Sequence, residues 1–188
     1  MTEHIDKTRL LTDIRYRFNY LSKFLHFTRD DIGILNEISK IILPLTPVIV
    51  DTIYRKLFSF DITKQYLLLR HCCSDSHSND TNFYSDAIEF RKNMLGKYLH
   101  CVFTQKEWDD SFLEYLSYIG KIHTFNSGSP LIHVDFIHIN ALCGFLQSIL
   151  IDTLCKSENV DQNLKQNGIQ AIIKFFSIQT DFMRIHYE

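Results

Sequence analysis

A chain of 188 residues that is 45% hydrophobic, with 15 Phe and 9 Tyr, has core material for one domain, and 6 Gly and 3 Pro are too few for the frequent turns of a sandwich or barrel. Lys and Arg number 20 against 22 Asp and Glu, a formal net charge of −2 with no basic stripe, so nucleic acid is not an expected partner. Five cysteines, of which only Cys72 and Cys73 are close together, speak against a disulfide framework and for a reducing, cytoplasmic setting.

The start, Met1 to Asp6, lacks the basic and apolar regions of a signal peptide, and no apolar run approaches the roughly 18 residues of a bilayer span. Beyond it, apolar residues recur at helical spacing. Leu11, Ile14, Phe18, Leu21 and Leu25 predict one stripe, within an extra N-terminal helix over about 4–27. Thr28 with Asp30 and Asp31 predicts a helix start, because those oxygens suit unsatisfied N–H groups and the positive dipole end. Ile34, Ile38, Ile41 and Leu45 form the next stripe, which closes at Pro44 and Pro47. A third helix turns Val50, Ile53 or Tyr54, and Leu57 inward. Ser59 to Thr63 reads as a corner before a short helix to Leu69, and the polar stretch from His71 to Asp80 as a surface loop.

Phe83, Ala87, Phe90 and Met94 open a longer helix that continues to about Val102. Thr104-Gln105-Lys106-Glu107 has the spacing of a capping box, and the helix it predicts carries Phe112, Leu116, Ile119 and His123 on one face. Asn126 to Pro130 ends that helix. Two long helices follow, one with Val134, Ile137, Ala141, Phe145 and Ile149, the other with Ile169, Ile172, Phe176, Thr180 and Met183. The expectation is a single all-α domain over 1–188, with about seven or eight helices on one core.

Two residues stand out chemically. His123 ends an apolar face just before a loop, where one ring nitrogen can bind a metal while the other donates to a carbonyl or carboxylate. Gly120, one turn earlier, would let something bulky approach. Tyr54 offers a phenol that stays protonated at neutral pH and can donate a hydrogen bond. Taken alone, each is more often a satisfied core residue. His71, Cys72, Cys73 and His77 are too closely spaced for an ordinary zinc site. His133 and His138 read as structural, and Cys101, Cys143 and Cys155 as small buried residues. No phosphate loop, His-Glu-x-x-His or nucleophile elbow is present, so no hydrolytic or phosphoryl-transfer chemistry is expected.

The segment from Tyr115 to His123, with its aromatic residue, Ile119-Gly120 pair and final His, resembles the proximal helix of protoglobins and globin-coupled sensor domains. Val50-Asp51-Thr52-Ile53-Tyr54 resembles the same family's distal segment, and Arg91-Lys92-Asn93-Met94-Leu95 the middle of its distal helix. The resemblance spans about Asp6 to Met183. From Met94 to Gly144, including Trp108 and Val134-Asp135, it looks most like the fungal branch. Ile53 stands where archaeal members carry Trp, and Met94 replaces the common Phe with a flexible thioether that could itself bind iron.

The resemblance implies a globin fold, a 3-over-3 helical sandwich, with its core over about 28–186. It implies haem b held by His123, with Leu116 and Ile119 on the same face. Tyr54 would stabilise a bound diatomic gas (O2, CO or NO), and Ile53, Met94 and Phe90 would line the distal side. It also suggests a homodimer through the last two long helices, to which Ile149, Phe175 or Ile178 would contribute. With no output module after about Tyr187, signalling would pass through another protein or through the dimer. The alternatives are a haem enzyme, an NO dioxygenase or peroxidase-like, and a haem-free globin-fold scaffold that binds a partner.

Overall fold

The computed structural model describes residues 2–68, 81–124, 134–158 and 160–187. The polar stretch at 71–80 and the helix-ending 126–130 lie outside them. Among the described residues every regular element is helical. Two short N-terminal helices, α1 (Lys7–Thr12) and α2 (Ile14–Leu25), replace the single expected one. Asp13 separates them: its backbone is extended, and its carboxylate accepts from Tyr16 N–H as the cap of α2. In α3 (Arg29–Ile42) the start is as predicted, with Thr28 and Asp31 forming a reciprocal capping box. A 3-10 turn over Leu43–Leu45 leads into α4 (Thr46–Phe58), followed by α5 (Asp61–Leu68) and α6 (Thr81–Thr104). The chain continues through α7 (Asp110–Lys121), α8 (Phe136–Lys156) and α9 (Gln162–Arg184) to a terminal 3-10 turn over Ile185–Tyr187.

The capping box expected at Thr104 is absent. Thr104 closes α6, its hydroxyl bonded back to His100 C=O, and α7 is capped by Asp109, which accepts from Phe112 N–H. Burial of Trp108 decides the matter. Its indole packs against Phe18, Phe27, Phe112 and Phe175 at centroid distances from 4.9 to 5.9 Å, which holds 105–109 in a non-helical corner.

Helix α9 is central, packed on α3, α7 and α8. Phe175 and Ile178 therefore lie in the core, at 1% and 0% exposure, and are not available to a dimer surface. The inward faces of α3 and α8 also differ from expectation. In α3 the buried set is Ile32, Leu35, Ile38 and Ile42, while Leu45 is exposed. In α8 it is Ile139, Cys143, Leu146, Leu150 and Leu154, while Ile137 is 70% exposed. Helix α8 is apolar almost all round, so periodicity alone cannot choose its inner face. Two stretches, 29–58 and 136–156, are long and apolar enough by length and composition to cross a bilayer, contrary to the sequence expectation. Here both supply core: Leu35, Ile38, Ile42, Leu150 and Leu154 have no solvent exposure.

The N-terminal helices are bound into this core. Arg17 of α2 makes a two-pronged ion pair with Asp181 of α9, at 2.5 and 2.8 Å, and a third bond to Leu10 C=O. Arg15 reaches Asp110 and Trp108 C=O at the start of α7.

Candidate functional site

The candidate residues fall into two groups. The first is carried by α7. Its Asp109 cap starts an amphipathic helix that buries Phe112, Leu113, Leu116 and Gly120 and stops at Lys121. His123 lies two residues past that end, in a turn closed by His123 N–H donating to Gly120 C=O at 3.1 Å. Its Nδ1 is 2.7 Å from Ile119 C=O. A carbonyl only accepts, so Nδ1 carries a proton, and in the neutral ring the lone pair is then on Nε2. Metal-binding imidazoles use this tautomer when their second nitrogen is anchored.

Three contacts fix α7 from behind. Leu116 is fully buried, and its C=O accepts from Gln179 Nε2 of α9 at 3.0 Å. Ser117 Oγ pairs with His186 Nε2 at 2.9 Å. At Gly120 the backbone of α9 comes so close that a Cβ would stand 2.5 Å from Met183 Cα. The bulky neighbour expected at Gly120 is thus α9 itself. Ile119 is half-buried against the core.

The second group is on α4 and α6. Ile53 is fully buried and Tyr54 is 7% exposed. Burial pushes the Tyr54 phenol up to about 12, the positive charge of Arg91 working weakly the other way. No hydrogen bond to a described residue contributes to that shift. Lys92, paired with Asp51 at 2.7 Å, sits 6.0 Å from the Tyr54 ring centroid.

Phe90 and Met94, one turn apart on α6, were expected to line an interior wall; they are 59% and 43% exposed. Further along the same side, Tyr98 is buried beside Cys143 and Tyr115, and the Tyr115 phenol lies near Cys101. So α6, packed on α3 and α4, reaches Tyr115 and Cys143 at its Tyr98–Cys101 end, while the Phe90–Met94 end leaves an apolar face uncovered. Of the cysteines read as buried, Cys143 is, whereas Cys101 and Cys155 are exposed. His138 lies against the Tyr66 ring, in a structural setting. His71, Cys72, Cys73, His77 and His133 fall outside the described residues, and among the described ones no cluster of metal-ligating side chains occurs. A surface groove of about 510 Å³ beside Glu114, Tyr118 and Lys121 contains none of the predicted residues.

Residues 14–188 match the sequence model of the Protoglobin family. The chain belongs to the Protoglobin family. The globin domain of the Geobacter sulfurreducens globin-coupled sensor has the same fold, with a TM-score of 0.71 over 90% of this chain and 97% of that one. Identity between the two is 14%, so this likeness establishes the globin fold alone. No curated protein matches this protoglobin. None of these matches supports placement in the fungal branch. The family match begins at Ile14, the first residue of α2, and leaves α1 outside.

Local pattern missed the supporting residues of this protoglobin, namely Gln179, His186, Tyr187 and Lys92. Three of them act on segments more than 50 residues away, where no spacing rule applies. The one available signal was chemical: Gln179 is a polar residue within an apolar stripe.

Proposed function

We propose that this chain is a haem-binding globin domain that reversibly binds diatomic gases and serves as a gas or redox sensor. The observation that carries the reading is the bond from His123 Nδ1 to Ile119 C=O, which in the neutral ring leaves Nε2 the lone pair that an iron ligand needs. Two other features fit the same group. The uncovered Phe90–Met94 face suits an apolar macrocycle, and the buried Tyr54 phenol keeps its proton with no hydrogen bond to a described residue contributing to its shift.

When bound, haem b would supply an iron atom able to bind a small gas. The chain's own residues do the rest. His123 would hold the iron, with its ring rotation set by Ile119 C=O. Leu116 and Ile119 would offer the haem apolar side chains from α7. Ile53, Phe90 and Met94 would supply the apolar surface beside Tyr54 that the macrocycle would cover. Tyr54, whose proton is retained to about pH 12, donates a hydrogen bond to a polar gas molecule held there.

The same reading includes a homodimer through α8 and α9, for which Ile137 and Ile173, 70% and 43% exposed, are the candidate apolar contacts. A monomeric mass at micromolar protein would contradict it. The free thiols of Cys101, Cys143 and Cys155 accord with a reducing cytoplasm. The function is tested by absorption spectra of the purified protein in ferric, dithionite-reduced and CO-treated forms. A strong Soret band that shifts sharply under CO is the expected outcome. No Soret band after added haem would leave a helical scaffold and end the proposal.

A further inference from the structure

The chain leaves α7 at His123 and returns at Val134, and the base of this excursion is closed by a compact set of bonds. Val134 N–H donates to His123 C=O at 3.0 Å. The Tyr187 hydroxyl donates to Val134 C=O at 2.7 Å and lies 3.5 Å from His123 C=O. A hydroxyl has one proton, so the shorter contact is the bond and the longer one a weak secondary attraction. Tyr187 is itself held. Its ring packs on Phe136 with centroids 5.3 Å apart, and its neighbour His186 pairs with Ser117 of α7 at 2.9 Å. The terminal turn therefore grips the His123 segment before and after the histidine.

We propose that Tyr187 is a positioning residue for His123, locking the backbone from which the imidazole projects. Two constraints then act on one side chain. Ile119 C=O sets the rotation of the ring, and Tyr187, through Val134, sets where the ring is rooted. This places the last turn of the chain in direct mechanical contact with the iron-binding side of the domain, the route by which strain at His123 reaches the C-terminal end of α9. The inference deepens the haem reading and rests on it for its functional meaning. The tether itself exists without haem.

The test uses the full-length Tyr187→Phe variant, which keeps the ring and removes the donor, beside Tyr66→Phe, which removes an exposed hydroxyl bond to Asp135 in the same region. In the haem-free protein, hydrogen exchange at the Val134 amide is expected to quicken about five-fold, the equivalent of one ordinary hydrogen bond. Tyr66→Phe should leave that amide unchanged. In the haem-loaded, reduced protein, Tyr187→Phe is expected to shift or broaden the iron–histidine vibration with haem content retained, and Tyr66→Phe to leave it alone. Unchanged Val134 exchange, or an unmoved vibration in a wild type that displays one, overturns the proposal. A wild type without an iron–histidine vibration contradicts the haem reading instead, and the exchange measurement still decides whether Tyr187 holds the His123 turn.

Discussion

The two sides of the candidate site are built differently. On the His123 side, α7 is bound to α9 and the terminal turn by Gln179 to Leu116, His186 to Ser117, Tyr187 to Val134, and a helix crossing that only Gly120 permits. On the Tyr54 side, the first half of α6 presents Phe90 and Met94 to solvent, and its polar anchors near Tyr54 are an exposed Lys92–Asp51 pair and Arg91 donating to Leu67 C=O. One side is rigid by packing and buried hydrogen bonds. The other leaves an apolar face open to solvent. The proposed gas-binding role would use this division, with the histidine held in register while the Tyr54 side admits a molecule.

That contrast predicts where mutations hurt. The largest effect is expected from Gly120→Ala, whose Cβ would meet Met183 Cα at 2.5 Å and Met183 C=O at 3.1 Å. Backbone atoms cannot turn aside, so we expect a loss of about 3 kcal/mol, measured by urea unfolding of the haem-free protein. A loss below about 0.5 kcal/mol would mean that α7 and α9 are not locked together, and the contrast would fail.

Tyr54→Phe should act the other way, on ligand and not on stability. Stability should change by no more than about 0.5 kcal/mol, because burial, with no hydrogen bond to a described residue, raises this phenol. Dissociation of O2, read by stopped flow, should quicken about ten-fold, with a smaller change for the less polar CO. Equal rates in both proteins would remove Tyr54 from the ligand side.

A gentler test covers both sides at once. Burial raises Tyr54, Tyr115 and Tyr187 to about 12, above the ordinary value near ~10 of an unfolded chain. The folded protein therefore holds these protons more tightly. Their contribution to stability is complete below about pH 10 and is lost as the pH rises toward about 12. Unfolding midpoints should fall across that window, with tyrosinate absorbance rising as the protein opens. Constant stability up to pH 12 would contradict the burial of these phenols.

Much of the helical layout was legible in the sequence because its signals are local. Thr28 and Asp31 mark the start of α3, and Leu116 and Ile119 fall on the inner side of α7 as their spacing predicts, although that helix stops at Lys121 and leaves His123 in the turn beyond it. What failed was decided by tertiary contact. Thr104 and Glu107 spell a capping box, yet Trp108 gains more by entering the aromatic cluster. In α8, apolar residues lie on nearly every face, and contact with α9 selects Ile139, Cys143 and Leu146 over Ile137 and Ala141. At the site, His123 and Tyr54 were visible as chemistry in a recognisable order. Their supports were not, since Gln179 and Tyr187 meet α7 and the His123 turn from 63 and 64 residues away.

The central claim, that His123 is the residue that holds the iron, is tested most directly by His123→Gly expressed and reconstituted with haem, with and without added imidazole. The account predicts that the reduced variant loses its haem or its five-coordinate histidine spectrum, and that imidazole filling the cavity restores it. A His123→Gly protein that keeps full haem content and an unaltered reduced spectrum without imidazole would contradict the account, and would assign the iron to another side chain.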